Sequence, residues 1–359
     1  MQPTIDPTLQ KTDYTDALNQ VIDDFLARQK VKAQVMSPDY QEIWEELERL
    51  IHAGGKRLRP RMSILAYRAF GGQDVPSMLP AAAAQELLHV AMLIHDDIID
   101  RDYIRYGVDN IAGSYNKLYS ELVTDDAERL HYAQGAAILA GDLLLSGSYL
   151  LMAESMVPAE KIIAIQKLLG QAVFEVVGGE LLDTETAFRG MNAVSAETVA
   201  RYKTASYTFI LPLLVGARLT DLPSEDLSSV AEFGKNLGIA FQLRDDIIGV
   251  FGDEAATGKS TTGDIREGKR TYMVEQFFAL ATPDQKAMFK QYFGGASITN
   301  EQVDTVRKLL VASGALAATE EAVSFYESMA RNALETLSIE PDCVDELESL
   351  ITVATRRTA

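Results

Sequence analysis

Cysteine is almost absent from this 359-residue sequence, and positive charge is scarce. The single cysteine, Cys343, allows no intramolecular disulfide, which is typical of proteins in a reducing compartment. Lysine and arginine number 33 against 52 acidic residues. The resulting net charge of −19 argues against nucleic acid or an anionic membrane as a partner, because both need a basic surface. An anionic ligand would need a local cationic patch, supplemented by a metal ion.

The sequence also lacks a long uninterrupted apolar run. Its first 16 residues contain no basic segment followed by an apolar one, so we predict no secretory signal. The most apolar run, 209–219, is too short to cross a bilayer and contains Pro212. We therefore predict no transmembrane segment and a cytoplasmic location.

Strand signals are missing as well, since no segment shows convincing alternation bounded by hairpin turns. Apolar residues make up 47% of the chain and recur at helical spacing without a linker or a fixed-period repeat. We predict an all-α fold. Residues 1–12 are predicted to be flexible, and 13–359 to form one domain.

The first chemical motif is the stretch 85–100, QELLHVAMLIHDDIID, an apolar helix that ends in Asp96, Asp97 and Asp100. Asp96 and Asp100 are four residues apart, so they project from one helix face about 6 Å from each other. Two carboxylates on a rigid face suit Mg²⁺, which keeps several waters and binds substrate phosphates. The alternative is that these aspartates only cap or solvate an exposed helix end. His89 lies two turns upstream on the same face, about 10 Å away along the axis.

A second acidic helix end raises the odds of a metal site. Residues 241–246, FQLRDD, finish with Asp245 and Asp246, and a glycine- and threonine-rich loop follows with Lys259, Asp264 and Lys269. Two acidic helix ends and a lysine-bearing loop can hold a polyphosphate between bridging Mg²⁺ ions. Neither acidic motif alone is sufficient to predict a metal site, but the two together are.

Basic residues concentrate in the turn 54–60, GGKRLRP, which brings Lys56, Arg57 and Arg59 together. A dense basic turn in an acidic protein indicates a diphosphate clamp, although cations at a helix C-terminus can also simply complement its dipole. Lys203 on an apolar helix is either a snorkelling lysine or a phosphate ligand. The mid-helix pair Gly178-Gly179 predicts that another element packs close by, since glycine costs about 1 kcal/mol there against alanine.

Taken together, six motifs closely resemble the trans-isoprenyl diphosphate synthases, the family of farnesyl, geranylgeranyl and longer polyprenyl diphosphate synthases. They are GGKRLRP at 54–60, HDDIID at 95–100, GD at 141–142, KTA at 203–205, FQLRDD at 241–246 and the loop 259–271. The resemblance runs in order over residues 50–275. It implies a large antiparallel all-α bundle around a deep central cavity, usually as a homodimer, that uses Mg²⁺.

The resemblance also implies roles for individual residues. Asp96, Asp100 and Asp245 would bind three Mg²⁺ ions with the allylic diphosphate, supported by Asp97 and Asp246. The implied cations on the allylic diphosphate are Arg105, Lys203 and Lys259. Isopentenyl diphosphate would be bound by Lys56, Arg59 and His89, while Thr204 and Gln242 match positions close to the reacting carbons.

Two positions depart from the family pattern. Tyr106 stands where many members carry a second arginine, so a ligand of isopentenyl diphosphate is missing or replaced, for instance by Arg57 or the C-terminal arginines. Gly249 stands where the second motif usually has a third aspartate, as in some geranylgeranyl diphosphate synthases. A regulatory subunit of a heteromeric synthase remains an alternative, and a class I terpene cyclase is disfavoured because it should lack the basic turn.

Product length is predicted from the residues four and five positions before the first aspartate motif. Bulky aromatics there close the tunnel early in this family, and here the positions hold Met92 and Ala91. Ala91 leaves space, which favours a product of twenty carbons or more over a farnesyl-only enzyme. Met92 is flexible and leaves the length ambiguous. Replacing Ala91 by phenylalanine is predicted to shorten the product.

Overall fold

A computed structural model of the chain describes residues 14–189, 194–252, 261–295 and 297–356. Lys259, Arg357 and the segment 1–12 lie outside these ranges. Within them the structure is helical apart from one short strand pair, so the all-α prediction is confirmed. The helices are α1 (Thr15–Met36), α2 (Pro38–Ala53), α3 (Leu58–Ala69), α4 (Val75–Asp100), α5 (Ile111–Leu118), α6 (Asp126–Ala153), α7 (Ala159–Arg189), α8 (Ala196–Val199), α9 (Leu211–Arg218), α10 (Ser224–Phe251), α11 (Gly263–Glu267), α12 (Tyr272–Leu280), α13 (Pro283–Tyr292), α14 (Asn300–Ala312), α15 (Ala315–Glu335) and α16 (Pro341–Thr355).

Helix α4 lies at the centre of the largest apolar core. A helix that is apolar on all sides is expected to be buried on all sides. Its four consecutive alanines, residues 81–84, are fully buried, and their small side chains let neighbouring helices approach closely. The helix ends at Asp100, and the next residue, Arg101, has a left-handed backbone with φ of 61°. Asp96, Asp97 and Asp100 thus lie in its last two turns, where the negative end of the helix dipole opposes carboxylates and favours cations.

Helix α10 repeats this arrangement, because Asp245 and Asp246 fall in its last two turns before Gly252. Between α8 and α9 the chain continues as a π-helix, Ala200–Ile210, which contains the KTA motif. π-Helical turns are rare in proteins, and those that occur are often found at functional sites. The backbone therefore widens at the segment that carries Lys203.

Helix α6 begins at Asp126, where the Asp125 side chain accepts hydrogen bonds from two backbone N–H groups of the first turn. One local feature differs from the sequence prediction. A hairpin of β1 (Ile104–Arg105) and β2 (Val108–Asp109) follows α4. Strands of two residues are too short for alternation to reveal them.

Three helices, Val75–Asp100, Asp126–Ala153 and Ala159–Thr186, are long and apolar enough to cross a membrane by length and composition, which we did not anticipate. In α4, however, 78% of the most apolar window is buried inside the protein. Its apolar residues are accounted for by the bundle core and do not indicate a span.

Candidate active site

Two glycines from different helices pack closely against the KTA segment. A Cβ atom at Gly179 of α7 would collide with the backbone of Lys203, and one at Gly238 of α10 would collide with Ala205. This close approach confirms the prediction made from the glycine pair in α7, although Gly178 itself faces open space. The contact places the π-helix between α7 and α10.

Lys203 is surrounded by carboxylates from two helices. Its Nζ lies 2.8 Å from Asp183, 2.9 Å from Glu180 and 3.7 Å from Asp96. Burial alone would lower the pKa of Lys203, but the three carboxylates outweigh burial and raise it, so the ammonium stays charged. Sequence reasoning gave Glu180 and Asp183 no role, although two acids beside a mid-helix glycine in an apolar helix were a usable signal.

The three aspartates of α4 have different surroundings. Asp97 is buried and accepts hydrogen bonds from Arg105 and, at 3.0 Å, from Asn110. Arg105 is thereby held 3.8 Å from Asp96. Asp96 and Asp100 remain partly or fully accessible. Burial, and then the charge of Asp96, raise the pKa of Asp100 to about 6.

A hydrogen-bond chain links the π-helix to the second acidic motif. The Thr204 hydroxyl donates to Gln242 Oε1 at 2.6 Å, and Gln242 Nε2 donates to Asp246 Oδ1 at 2.8 Å. Burial raises the pKa of Asp246 to about 7, against the opposing charge of Lys269. Thr204, Gln242 and Asp246 together line a small cavity beside Lys203.

The departure at Gly249 has a structural counterpart. A Cβ atom at this position would collide with the carboxylate of Asp264. Asp264 therefore occupies the space next to the helix where the third acid of the motif would begin. An acidic side chain is present near this end of α10 even though the motif itself lacks one.

The two arginines of the basic turn, Arg57 and Arg59, differ in their hydrogen-bond partners. Arg57 is 5% exposed and is held by Glu86 at 2.8 Å, Asn19 at 3.0 Å and the Ile51 carbonyl at 3.2 Å. The suggestion that Arg57 replaces a missing substrate ligand is therefore wrong, because its donors are already used inside the protein. The other suggested replacement, the C-terminal arginines, finds no support at Arg356, whose guanidinium pairs with Glu327 at 3.5 Å.

Arg59 and His89 each have a buried nitrogen without a partner among the described residues. Arg59 donates to the Thr208 hydroxyl at 2.7 Å, and its guanidinium lies 4.6 Å over the Tyr207 ring, but its Nε is one of the two. The other is Nδ1 of His89, whose ring lies 6.2 Å from that of Tyr207. Burial, reinforced by nearby arginines, lowers the pKa of His89 well below its usual value, so the imidazole is neutral at pH 7. Buried polar atoms without partners are rare and indicate a ligand.

An apolar cavity of about 530 Å³ opens between α4, α7 and the π-helix. Asp96, Lys203 and Thr204 lie on its wall together with Met92. Ala91, in contrast, is fully buried in the helical core. The charged groups therefore adjoin an apolar space of a volume that can hold a hydrocarbon chain.

The donor set fits Mg²⁺ that is shared with a phosphate. Within the described ranges, no three acidic, histidine or cysteine side chains converge into a complete metal site. Mg²⁺ does not need one, because it commonly binds one or two carboxylates and completes its shell with water and substrate phosphates. Asp96 and Asp100 offer such a pair. The pKa of Asp100 is raised first by burial and then by repulsion from Asp96, and a bound cation would relieve this repulsion.

Stability of the metal-free protein is predicted to fall between pH 5.5 and pH 8. The pKa of Asp100 is raised to about 6 and those of Glu180 and Asp246 to about 7, each first by burial, from ordinary values of 3.8 to 4.5. The folded chain thus binds more protons than the unfolded chain over this window. The stability contributed by the protonated carboxyls is complete below about pH 4 and is lost as the pH rises through 6 to 7.

Thermal unfolding in a chelator and in Mg²⁺, at both pH values, tests this prediction. Mg²⁺ binds the deprotonated carboxylates, so it is expected to raise Tm more at pH 8 than at pH 5.5. Equal stabilisation by Mg²⁺ at the two pH values would contradict it.

Comparison with known proteins gives one consistent answer. The profile of the polyprenyl synthetase family matches residues 40–310. A geranylgeranyl diphosphate synthase of Methanosarcina mazei is 30% identical, over 85% of this chain and 86% of its own. A geranylfarnesyl diphosphate synthase of Aeropyrum pernix is 32% identical, over 79% of this chain and 84% of its own.

Among solved structures, the geranylgeranyl pyrophosphate synthase of Corynebacterium glutamicum, determined with isoprenyl diphosphate and magnesium, matches with a TM-score of 0.88. It is 28% identical to this chain, and the match covers 99% of both chains. The family profile, the relatives and the shared helical fold agree with the motifs brought together here. The chain belongs to the polyprenyl synthetase family and is a trans-prenyltransferase.

Proposed function

We propose that this protein condenses isopentenyl diphosphate with an allylic diphosphate, in trans and head to tail, and releases geranylgeranyl diphosphate or a somewhat longer polyprenyl diphosphate. The observation that carries the proposal is the position of Lys203 and Thr204, between two acidic helix ends and on the wall of a 530 Å³ apolar cavity. This arrangement suits a substrate with an anionic head and a hydrocarbon tail. The names of the relatives support the same substrates.

The residues divide the chemistry between them. Asp96, Asp100 and Asp245 would hold the Mg²⁺ ions, three by family analogy, and the bound metal would stabilise the charge that develops on the departing diphosphate. Lys203 adds a fixed positive charge next to Asp96. Because this charge is already in place, it requires no reorganisation when the allylic C–O bond ionises.

The second substrate and the carbocation need different surroundings. Lys56, Arg59 and neutral His89 would bind the diphosphate of isopentenyl diphosphate. Among the described residues, the buried Arg59 Nε and His89 Nδ1 have no hydrogen-bond partner, so both atoms are available to this substrate. The apolar cavity keeps water from quenching the allylic cation. We assign the final proton to the released diphosphate, since no side-chain base is evident among the described residues that line the cavity.

The experiment that tests the function incubates the purified protein with Mg²⁺, isopentenyl diphosphate and each allylic diphosphate in turn. Products are dephosphorylated and sized by mass spectrometry. Elongated all-trans products are expected from the protein alone. Recovery of intact starters would favour the regulatory-subunit alternative, and a cyclic hydrocarbon would favour a terpene cyclase. A product of fifteen carbons only would identify a farnesyl diphosphate synthase.

Met92 is predicted to set product length more directly than Ala91. Met92 lines the cavity together with Val176 and Val177, whereas Ala91 is fully buried in the core. Replacing Met92 by phenylalanine is expected to shorten the main product by about one isoprene unit, because the ring fills space that the tail needs. Phenylalanine at position 91 is expected to shorten the product only together with a loss of stability, about 1–3 kcal/mol from overpacking.

Product sizing and thermal unfolding of both variants measure these effects. A Met92→Leu variant serves as the control because it nearly conserves volume. An unchanged product spectrum in Met92→Phe would show that the tail does not pass this residue.

We further propose a homodimer in the cytoplasm. The solvent-facing side of α6 and α7 carries large apolar residues, among them Leu139, Leu150 and Phe174, which is 75% exposed. A second copy of the chain would cover such a surface, since contiguous exposed apolar patches mark interaction sites. Light scattering is expected to give twice the chain mass of 39.4 kDa, and a monomer at micromolar concentration would contradict the proposal.

A further inference from the structure

Tyr106 occupies an unfavourable backbone conformation at the edge of the site. The β1–β2 hairpin turns through Tyr106 and Gly107, whose φ angles are 55° and 77°. A two-residue turn with both angles positive favours asparagine followed by glycine, and a bulky residue at its first position is uncommon. Such outliers cluster at ligand-binding sites, where the local strain serves a purpose.

The turn directs the tyrosine ring onto the basic segment. A Cβ atom at Gly54 would collide with three atoms of the Tyr106 ring, so only glycine leaves room for it. Gly54 immediately precedes the turn that carries Lys56 and Arg59. The ring thus covers the start of the region in which we place the isopentenyl diphosphate site.

The phenol is surrounded by the charged groups of that region. Burial, followed by the charge of Glu86, raises the pKa of Tyr106, while Arg59 and Arg105 act in the opposite direction. The hydroxyl therefore remains a neutral donor at pH 7, and it makes no hydrogen bond within the part of the chain that the structure describes. Tyr106 itself is 44% exposed, so its hydroxyl is accessible to a ligand. Two buried nitrogens of the same region, Arg59 Nε and His89 Nδ1, have no partner among the described residues.

We propose that the Tyr106 hydroxyl donates a hydrogen bond to the diphosphate of isopentenyl diphosphate, where many relatives would use a second arginine. The inference rests on the proposed function and identifies one more binding residue for its second substrate. The other candidate among the described basic residues, Arg57, is unsuitable because its donors are bound to Glu86, Asn19 and a carbonyl. The site would then combine Lys56 and Arg59 with two neutral donors, His89 and Tyr106.

The test replaces Tyr106 by phenylalanine, which keeps the ring against Gly54 and removes only the hydroxyl. The KM for isopentenyl diphosphate is expected to rise about tenfold, as for loss of one hydrogen bond to a charged group. The KM for the allylic substrate and the Tm are expected to stay unchanged. Tyr106→Arg should restore the KM and make it more sensitive to salt, and Tyr103→Phe in the same hairpin is the matched control.

Each result has a defined reading. An unchanged KM for isopentenyl diphosphate in Tyr106→Phe would overturn the proposal and leave the tyrosine as a packing residue. Calorimetric titration of wild type and variant with isopentenyl diphosphate alone keeps the two proposals apart. Absence of product from the wild type would refute the proposed function, whereas equal binding by wild type and Tyr106→Phe would refute only the role of Tyr106.

Discussion

Replacing Asp96 by asparagine is expected to lower kcat by about 10²–10³-fold, the usual effect of losing one electrostatic stabiliser of a transition state. Asp96 shares a helix face with Asp100 and lies 3.7 Å from Lys203 and 3.8 Å from Arg105. Asparagine keeps the shape but removes one of the two negative charges offered to Mg²⁺. The Mg²⁺ concentration needed for half-maximal activity should therefore rise in the same variant.

The control for this variant is Asp102→Asn, two residues beyond the helix on an exposed position. It changes the net charge equally but leaves the α4 face intact, so its activity is expected to stay within about twofold of the wild type, as for surface substitutions. Steady-state rates over a range of Mg²⁺ concentrations measure both variants. Near-normal activity of a folded Asp96→Asn protein would mean that the metal is not held on this face.

Replacing Lys203 by methionine is expected to reduce both activity and stability. The ammonium lies within 3 Å of Glu180 and Asp183. The Lys203 side chain is 25% exposed, so the expected loss of stability is about 1–3 kcal/mol, less than for a fully buried ion pair. Activity should fall by about 10²–10³-fold because a fixed cation beside the departing diphosphate is lost. Protonation of Glu180, with its pKa already about 7, would relieve part of the stability loss. The loss in Tm should therefore be smaller at pH 5.5 than at pH 8.

Two control variants separate charge from packing. Lys203→Arg keeps the positive charge and is expected to retain stability. Its activity is expected to fall, because the arginine side chain is longer and planar, but by less than the activity of Lys203→Met. Lys161→Met removes a lysine of equal exposure, 25%, that pairs with Asp221 away from the cavity. Thermal unfolding and rate measurements on all three variants decide the outcome. A Lys203→Met protein as stable and as active as Lys161→Met would contradict the role given to Lys203.

Local sequence patterns were sufficient to predict the helical fold and the two acidic helix ends. The spacing of Asp96 and Asp100 follows from the pitch of a helix, and helical geometry holds wherever the helix is placed. The glycine pair in α7 likewise predicted a close neighbour, which is the backbone of Lys203 at Gly179. Patterns of this kind are read within one or two helical turns.

Contacts between distant segments were not predictable in this way. The three cations of the basic turn look equivalent in sequence, yet Arg57 is consumed by Glu86, 29 residues away, while Arg59 keeps an unused donor. The partners of Lys203 were equally hidden, since Asp183 is 20 residues distant and comes from another helix.

The sequence by itself determined which residues form helices and which acids share a helix face, because both follow from local backbone geometry. Only the tertiary structure decided which cations are free to bind a substrate, and that Met92 rather than Ala91 lines the cavity. The physical reason is that burial and charge pairing depend on which helices pack together. Such packing is set by contacts far apart along the chain.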